Sequence, residues 1–254
     1  MHCQHGLSRQ ASNGHTLSSH AVLTPVVVCP GHSQVIALPP ESIMPQDGHA
    51  TQDCERAAGT RWLAKHATQV APHGVPLLGD DLYSNQPFCA LALQNGYNFI
   101  FVCKPDSPPT LSERLAFWQT NDGIAELESR HWNGRYAEVI PYRYIKNVLL
   151  RGGDDALSVQ WCERTVVNAK TGEPLYHNSL ITNHRVTAAI VAAVAHAGRG
   201  RWKSANENNH VLKTKGSHIE HNVGHGKKYL SALLLSLNLL ALLFHTVLAW
   251  RDNT

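Results

Sequence analysis

Apolar and polar positions alternate in short blocks along most of the chain, and the period of the alternation changes from block to block. Ala21 to Cys29 and Gln34 to Leu38 are β-rich runs parted by Pro30-Gly31-His32-Ser33, a turn sequence, which predicts a hairpin. Asp53 to His66 lacks proline and carries Ala57, Ala58, Trp62 and Leu63 at helical intervals; it predicts a helix capped by Asp53. Val75-Pro76-Leu77-Leu78, Gly79-Asp80-Asp81-Leu82-Tyr83, a helical Gln86 to Gln94 and an apolar Tyr97 to Cys103 then spell strand, helix, strand. Catalytic groups on such units gather where a strand ends, which is where Asp80 and Asp81 stand.

From Glu126 to Asn183 the pattern changes to repeated short β runs: Arg135 to Tyr144, Ile145 to Leu150, Leu157 to Val167 and Tyr176 to Thr182. Asn133-Gly134, Gly152-Gly153-Asp154 and Lys170-Thr171-Gly172 punctuate them, so an antiparallel β insertion is expected. Helical periodicity returns over Val186 to Ala197 and Arg201 to Lys213 and ends in a leucine-rich helix from Tyr229 to Trp250. The expected organisation is a partial α/β core over 1–125, a β-rich insertion over 126–183 and C-terminal helices over 184–254 that complete the core.

A length of 254 residues leaves room for a sizeable core, and the net charge of +3 is only mildly basic. The charge is uneven, however. Between Gly198 and Lys228 stand Arg199, Arg201, Lys203, Lys213, Lys215, Lys227 and Lys228 against Glu207 and Glu220, an excess suited to a polyanion. Cys3, Cys29, Cys54, Cys89, Cys103 and Cys162 are scattered, several within apolar runs, and are expected to be reduced core residues of a cytoplasmic protein. The leucine-rich run is long enough to cross a bilayer, but Ser231, Ser236, Asn238 and His245 interrupt it; a helix packed on all sides is the preferred expectation, with a membrane anchor over 229–250 as the alternative.

Several words are more specific than any of these patterns. Gly198-Arg199-Gly200-Arg201-Trp202-Lys203, Asn206-Glu207-Asn208-Asn209, Leu212-Lys213-Thr214-Lys215-Gly216 and Glu220-His221-Asn222, followed by Gly224-His225-Gly226, resemble the C-terminal signature of bacterial insertion-sequence transposases of the DDE type. Gly79-Asp80-Asp81-Leu82-Tyr83-Ser84 is similar to the second-aspartate motif of that group, and Thr182-Asn183 to the approach to its last motif. Pro39-Pro40-Glu41 and Gln52-Asp53-Cys54-Glu55 extend the resemblance over almost the whole chain.

The resemblance implies a ribonuclease H-like mixed sheet with flanking helices, in which three carboxylates hold two divalent ions, Mg2+ or Mn2+, that cut and join DNA. It also implies transposon ends as partner, with a homo-oligomer compatible with that role. Asp80 is the carboxylate, and the metal ligand, that carries over, with Asp81, its neighbour, as second choice. The strand bearing the family's first aspartate would precede Met1, so an N-terminally truncated copy with an incomplete sheet is expected. Where the family has Trp-x-x-Glu-Asn, this sequence has Trp202-Lys203-Ser204-Ala205-Asn206. Glu207 is the nearest substitute acid, but two residues along a helix turn a side chain by about 200°. Arg199, Arg201, Lys203, Lys213 and Lys215 fall where DNA phosphates approach in the family. The expected function is therefore that of a degenerate, inactive transposase homologue, with a non-catalytic DNA-binding remnant as the alternative.

Other constellations are less persuasive. His210, His218, His221 and His225 have spacings a zinc site could use, yet Gly216 and Gly224 break the helix it would need and no cysteine lies near. His2, Cys3 and His5 are too closely spaced, Asp154-Asp155 after Gly152-Gly153 predicts a hairpin turn, and Trp202 is expected in the core rather than stacked on a base. No spacing supports a Ser-His-Asp triad.

Overall fold

A computed structural model describes residues 7–10, 14, 16–43, 53–104, 109–220 and 229–252. They form a mixed α/β structure divided into two units, one of Met1–Lys65 with Trp202–Thr254 and the other of His66–Arg201. The first unit opens on antiparallel pairs: β1 (Leu7–Gln10) with β2 (Thr16–Ser19), β3 (Ala21–Leu23) with β6 (Glu41–Ile43), and β4 (Val26–Val28) with β5 (Val35–Ala37). The expected hairpin is thus β4 and β5, with Val28 opposite Val35 across the Pro30-Gly31 turn. Ala21–Leu23 leaves it to pair with β6. Helix α1 (Glu55–Val70) follows. The Asp53 carboxylate grips Arg61 two turns along, and its Oδ1 also accepts from Cys54 N–H.

The second unit is built on a six-stranded mixed sheet. Its strands are β7 (Leu77–Gly79), β8 (Phe99–Val102), β9 (Ala125–Trp132), β10 (Ala137–Leu149), β11 (Ser158–Asn168) and β12 (Pro174–Thr182), in the order β7-β8-β12-β11-β10-β9. β7 and β8 are parallel and joined through α2 (Gln86–Gln94), whose first turn is capped by Asn85 Oδ1 accepting from Phe88 N–H at 3.2 Å. The other pairs are antiparallel, and the β-rich stretch continues this sheet because β12 pairs with β8. The two runs expected at 135–144 and 145–150 are one strand, β10, bent by a bulge between Ile145 and Val148 where Asn147 adopts φ 56°. Asparagine is among the few side chains that tolerate that region.

Helix α3 (Pro109–Thr120) links β8 to β9, and α4 (Val191–Arg199) packs on the sheet. Ile100, Tyr142, Cys162, Leu180, Val186, Val191 and Ala195 form the shared core of this sheet and helix. Gly198 makes the close approach possible: a Cβ there would lie 2.6 Å from Leu180 Cδ1 and 3.0 Å from Ile100 Cγ2.

The chain then re-enters the first unit through a π-helical segment, Ser204–Asn209, that leads into α5 (His210–Thr214) and later α6 (Leu230–Asp252). α6 packs against β5 and α5 through Leu239, Ala37 and Leu212, with Leu235, Leu242 and Ile219 around them. The expectation of a helix packed on all sides is not met: Leu239 and Thr246 are its buried residues, and 11% of its most apolar window is buried. It is also long and apolar enough to cross a membrane by length and composition.

Candidate functional site

Asp80 follows β7 directly, at the C-terminal end of a strand parallel to its neighbour β8. Gly79 before it lets two aromatic rings close over the strand end, since a Cβ at that position would lie 2.9 Å from Tyr83 Cδ2 and 3.0 Å from Phe101 Cδ1. Asp80 is half-buried, and its Oδ1 accepts from Leu82 N–H at 3.1 Å, which caps the short 3-10 turn Asp81–Tyr83. Asp81 is paired with Lys104 Nζ at 3.0 Å. The strand end therefore presents one carboxylate bonded to backbone and a second in an ion pair with an exposed lysine.

Thr182 and Asn183 act as a latch between the ends of β12 and β8. Thr182 Oγ1 donates to Phe99 C=O at 2.6 Å, Asn183 Oδ1 accepts from Phe99 N–H at 2.9 Å, and Asn183 Nδ2 donates to Asn98 Oδ1 at 2.7 Å. The expected helix after them begins later than Val186, at Val191.

At the C-terminal end of α4 Arg199 is exposed, with its guanidinium carbon 4.6 Å from the centre of the Tyr176 ring; Arg164 lies 5.6 Å from the same ring. This cation-aromatic group escaped the sequence analysis because Arg164 and Tyr176 meet only through the β11–β12 register, in which Val166 faces Tyr176. Arg201, half-buried, ends the second unit.

The remaining candidates belong to the first unit. Trp202 is 39% exposed, contrary to the expectation of a core residue. Lys203 is buried, and its ammonium donates to Cys29 C=O at 2.7 Å and to His32 C=O. It holds the β4–β5 turn from within the fold. Ala205, at the position of the family's acid, is exposed, and Glu207 is half-buried. Asn208 is fully buried, and its Nδ2 donates to Asn209 Oδ1 at 3.1 Å; Thr24 Oγ1 donates to the same Asn209 oxygen at 3.0 Å. Lys213 pairs with Glu220 at 2.6 Å, and Lys215 is exposed.

Among the described residues no group of three or more His, Cys, Asp or Glu could hold a metal ion. Asp80 is described with the second unit and Glu207 with the first, each by itself. His210 and His218 are exposed, while His221, His225, His2, Cys3 and His5 lie outside the described residues. Asp154-Asp155 forms a hairpin turn, with Gly153 at φ 108° and Arg151 paired to Asp155. No disulfide forms among the described cysteines; Cys89, Cys103 and Cys162 are buried, but Cys29 and Cys54 are exposed rather than core, and Cys3 is outside the described residues.

No family model matches the chain, and no curated protein matches it.

Proposed function

We propose that this chain is a DNA-binding homologue of the DDE transposases that does not cut DNA. One observation carries the reading. Asp80 stands at the end of the first of two parallel strands, where the resemblance expects a metal-binding acid, yet its immediate neighbour Asp81 is engaged by Lys104. Asp80 with an ion-paired neighbour is a poor pair of ligands for two hard cations, because each needs several oxygens. The polyanion reading is supported unit by unit: Arg199 is exposed and Arg201 half-buried in one, and Lys215 is exposed in the other. Such cations contact phosphates and carry little sequence information, so binding is expected to be broad and strongly salt-dependent.

Gel retardation of duplex DNA across a salt series tests the reading. Retention at low salt that falls steeply as salt rises is the expected result. Failure to retain DNA at low salt would remove the proposal, whatever the chain's ancestry.

A further inference from the structure

We infer that α6 is a self-association helix whose exposed face docks on the same face of a second copy of this chain. The helix carries two apolar seams of identical spacing. Leu235, Leu239, Leu242 and Thr246, at intervals of four, three and four, include its two buried residues, and the leucines belong to the cluster formed with Ala37 and Leu212. Leu233, Leu237, Leu240, Phe244 and Val247 repeat the intervals four, three, four and three, and they are 57%, 51%, 47%, 61% and 49% exposed. At about 100° per residue the second seam lies roughly 150° around the helix from the first. The 3.5-residue period is the one by which two helices bury a shared stripe, knobs into holes.

The angular distribution of polar residues selects the occupant. Ser231, Asn238 and His245 recur every seven residues and form a stripe on the flank between the two seams; His245 is exposed, and Ser231 and Asn238 are half-buried. A bilayer around the helix would put that stripe in hydrocarbon, where asparagine and histidine are costly. A second helix laid on the exposed seam leaves it in water. Ser236, at the seam's margin, is self-satisfied, its hydroxyl donating to Ala232 C=O at 2.9 Å. Within the unit α6 is tied to α5, where Lys213 and Glu220 form a solvent-exposed ion pair that does not belong in a membrane. With Leu248 included, complete cover of the exposed seam would bury at most roughly 600 Å2 per copy, or about 1,200 Å2 over a pair, the lower end of specific interfaces. That is also as large an apolar patch as soluble monomers carry.

Sedimentation equilibrium of the full chain in detergent-free buffer tests the proposal, together with Leu240→Glu, Phe244→Glu and His245→Glu. The expected result is a dimer at tens of micromolar. Each seam substitution should weaken it roughly tenfold or more, and the flank substitution should leave it unchanged. Because the seam side chains are exposed, the variants should keep the parent's circular dichroism, which separates lost association from lost folding. A monomeric parent, or dimerisation that Leu240→Glu and Phe244→Glu both leave intact, overturns the proposal. So does recovery of the chain only in membranes that resist alkaline carbonate.

Discussion

Arg61 and Asp53 are joined fork to fork: Nη1 donates to Oδ1 at 3.0 Å and Nη2 to Oδ2 at 2.8 Å. Arg61 Nε also reaches Glu41 at 2.9 Å, and Nη2 reaches Ser42 C=O at 2.9 Å, so one guanidinium ties the start of α1 to β6. The hydrogen bond to Asp53 is the largest influence on this group, and it holds the guanidinium pKa above its ordinary value. The Asp53 side chain is only 5% exposed, so removing Arg61 takes the charged partner from a buried carboxylate. Arg61→Ala is expected to cost about 2 kcal/mol in urea unfolding, allowing for the partial exposure of the arginine. Arg61→Lys should recover only part of it, because an ammonium cannot make the paired contact.

Gly79 sets the position of Asp80. A methyl group there meets ring atoms of Tyr83 and Phe101, both buried, and rings cannot bend aside as a flexible side chain would. Gly79→Ala should therefore lower stability by about 1–3 kcal/mol, measured by thermal or urea unfolding. An unchanged midpoint would mean that the strand end is looser than its packing indicates.

The cysteines give a pH prediction. Burial pushes the thiols of Cys89, Cys103 and Cys162 up to about 12. Since the thiolate is the reactive form, raising the pH to ordinary alkaline values leaves these three protonated in the folded chain. Iodoacetamide labelling of native protein at mildly alkaline pH, read by peptide mass, should modify the exposed Cys29 and Cys54 and spare the three buried residues until the chain is unfolded.

Lys203 and Arg199 should separate structural from DNA-facing cations. Lys203→Ala removes the donor to Cys29 and His32 carbonyls and should destabilise the fold by about 1–3 kcal/mol while leaving the salt slope of DNA binding unchanged. Arg199→Ala should do the reverse, reducing that slope by about one.

The sequence was legible where a local rule decides the outcome. Gln86 to Gln94 is a helix with the expected bounds because Asn85 caps it and Gly96, at φ 78°, permits the turn after it. Leu77–Gly79 and Phe99–Val102 follow from apolar runs closed by turn residues. β9 was not, because Ala125–Trp132 shows mostly exposed residues on both faces and so lacks an apolar alternation. The helix after Thr182-Asn183 was drawn too early because those side chains bond to Asn98 and Phe99, a long-range latch without local signature. At the candidate site, Asp80 at a strand end was readable from pattern and resemblance together. The loss of Lys203 to the interior was not, since it depends on carbonyls of residues more than 170 positions away. Trp202 went wrong for a related reason: a large apolar ring gives no local sign of which face its helix turns outward.

The proposed absence of cutting rests on the strand end after β7, where Asp81 beside Asp80 is paired with Lys104. Its most direct test is incubation of supercoiled plasmid with the full chain and Mg2+ or Mn2+ under salt low enough for binding, read as conversion to nicked circles. The predicted result is DNA retention with no nicking above that of Asp80→Ala; nicking by the parent chain that disappears in Asp80→Ala would contradict it.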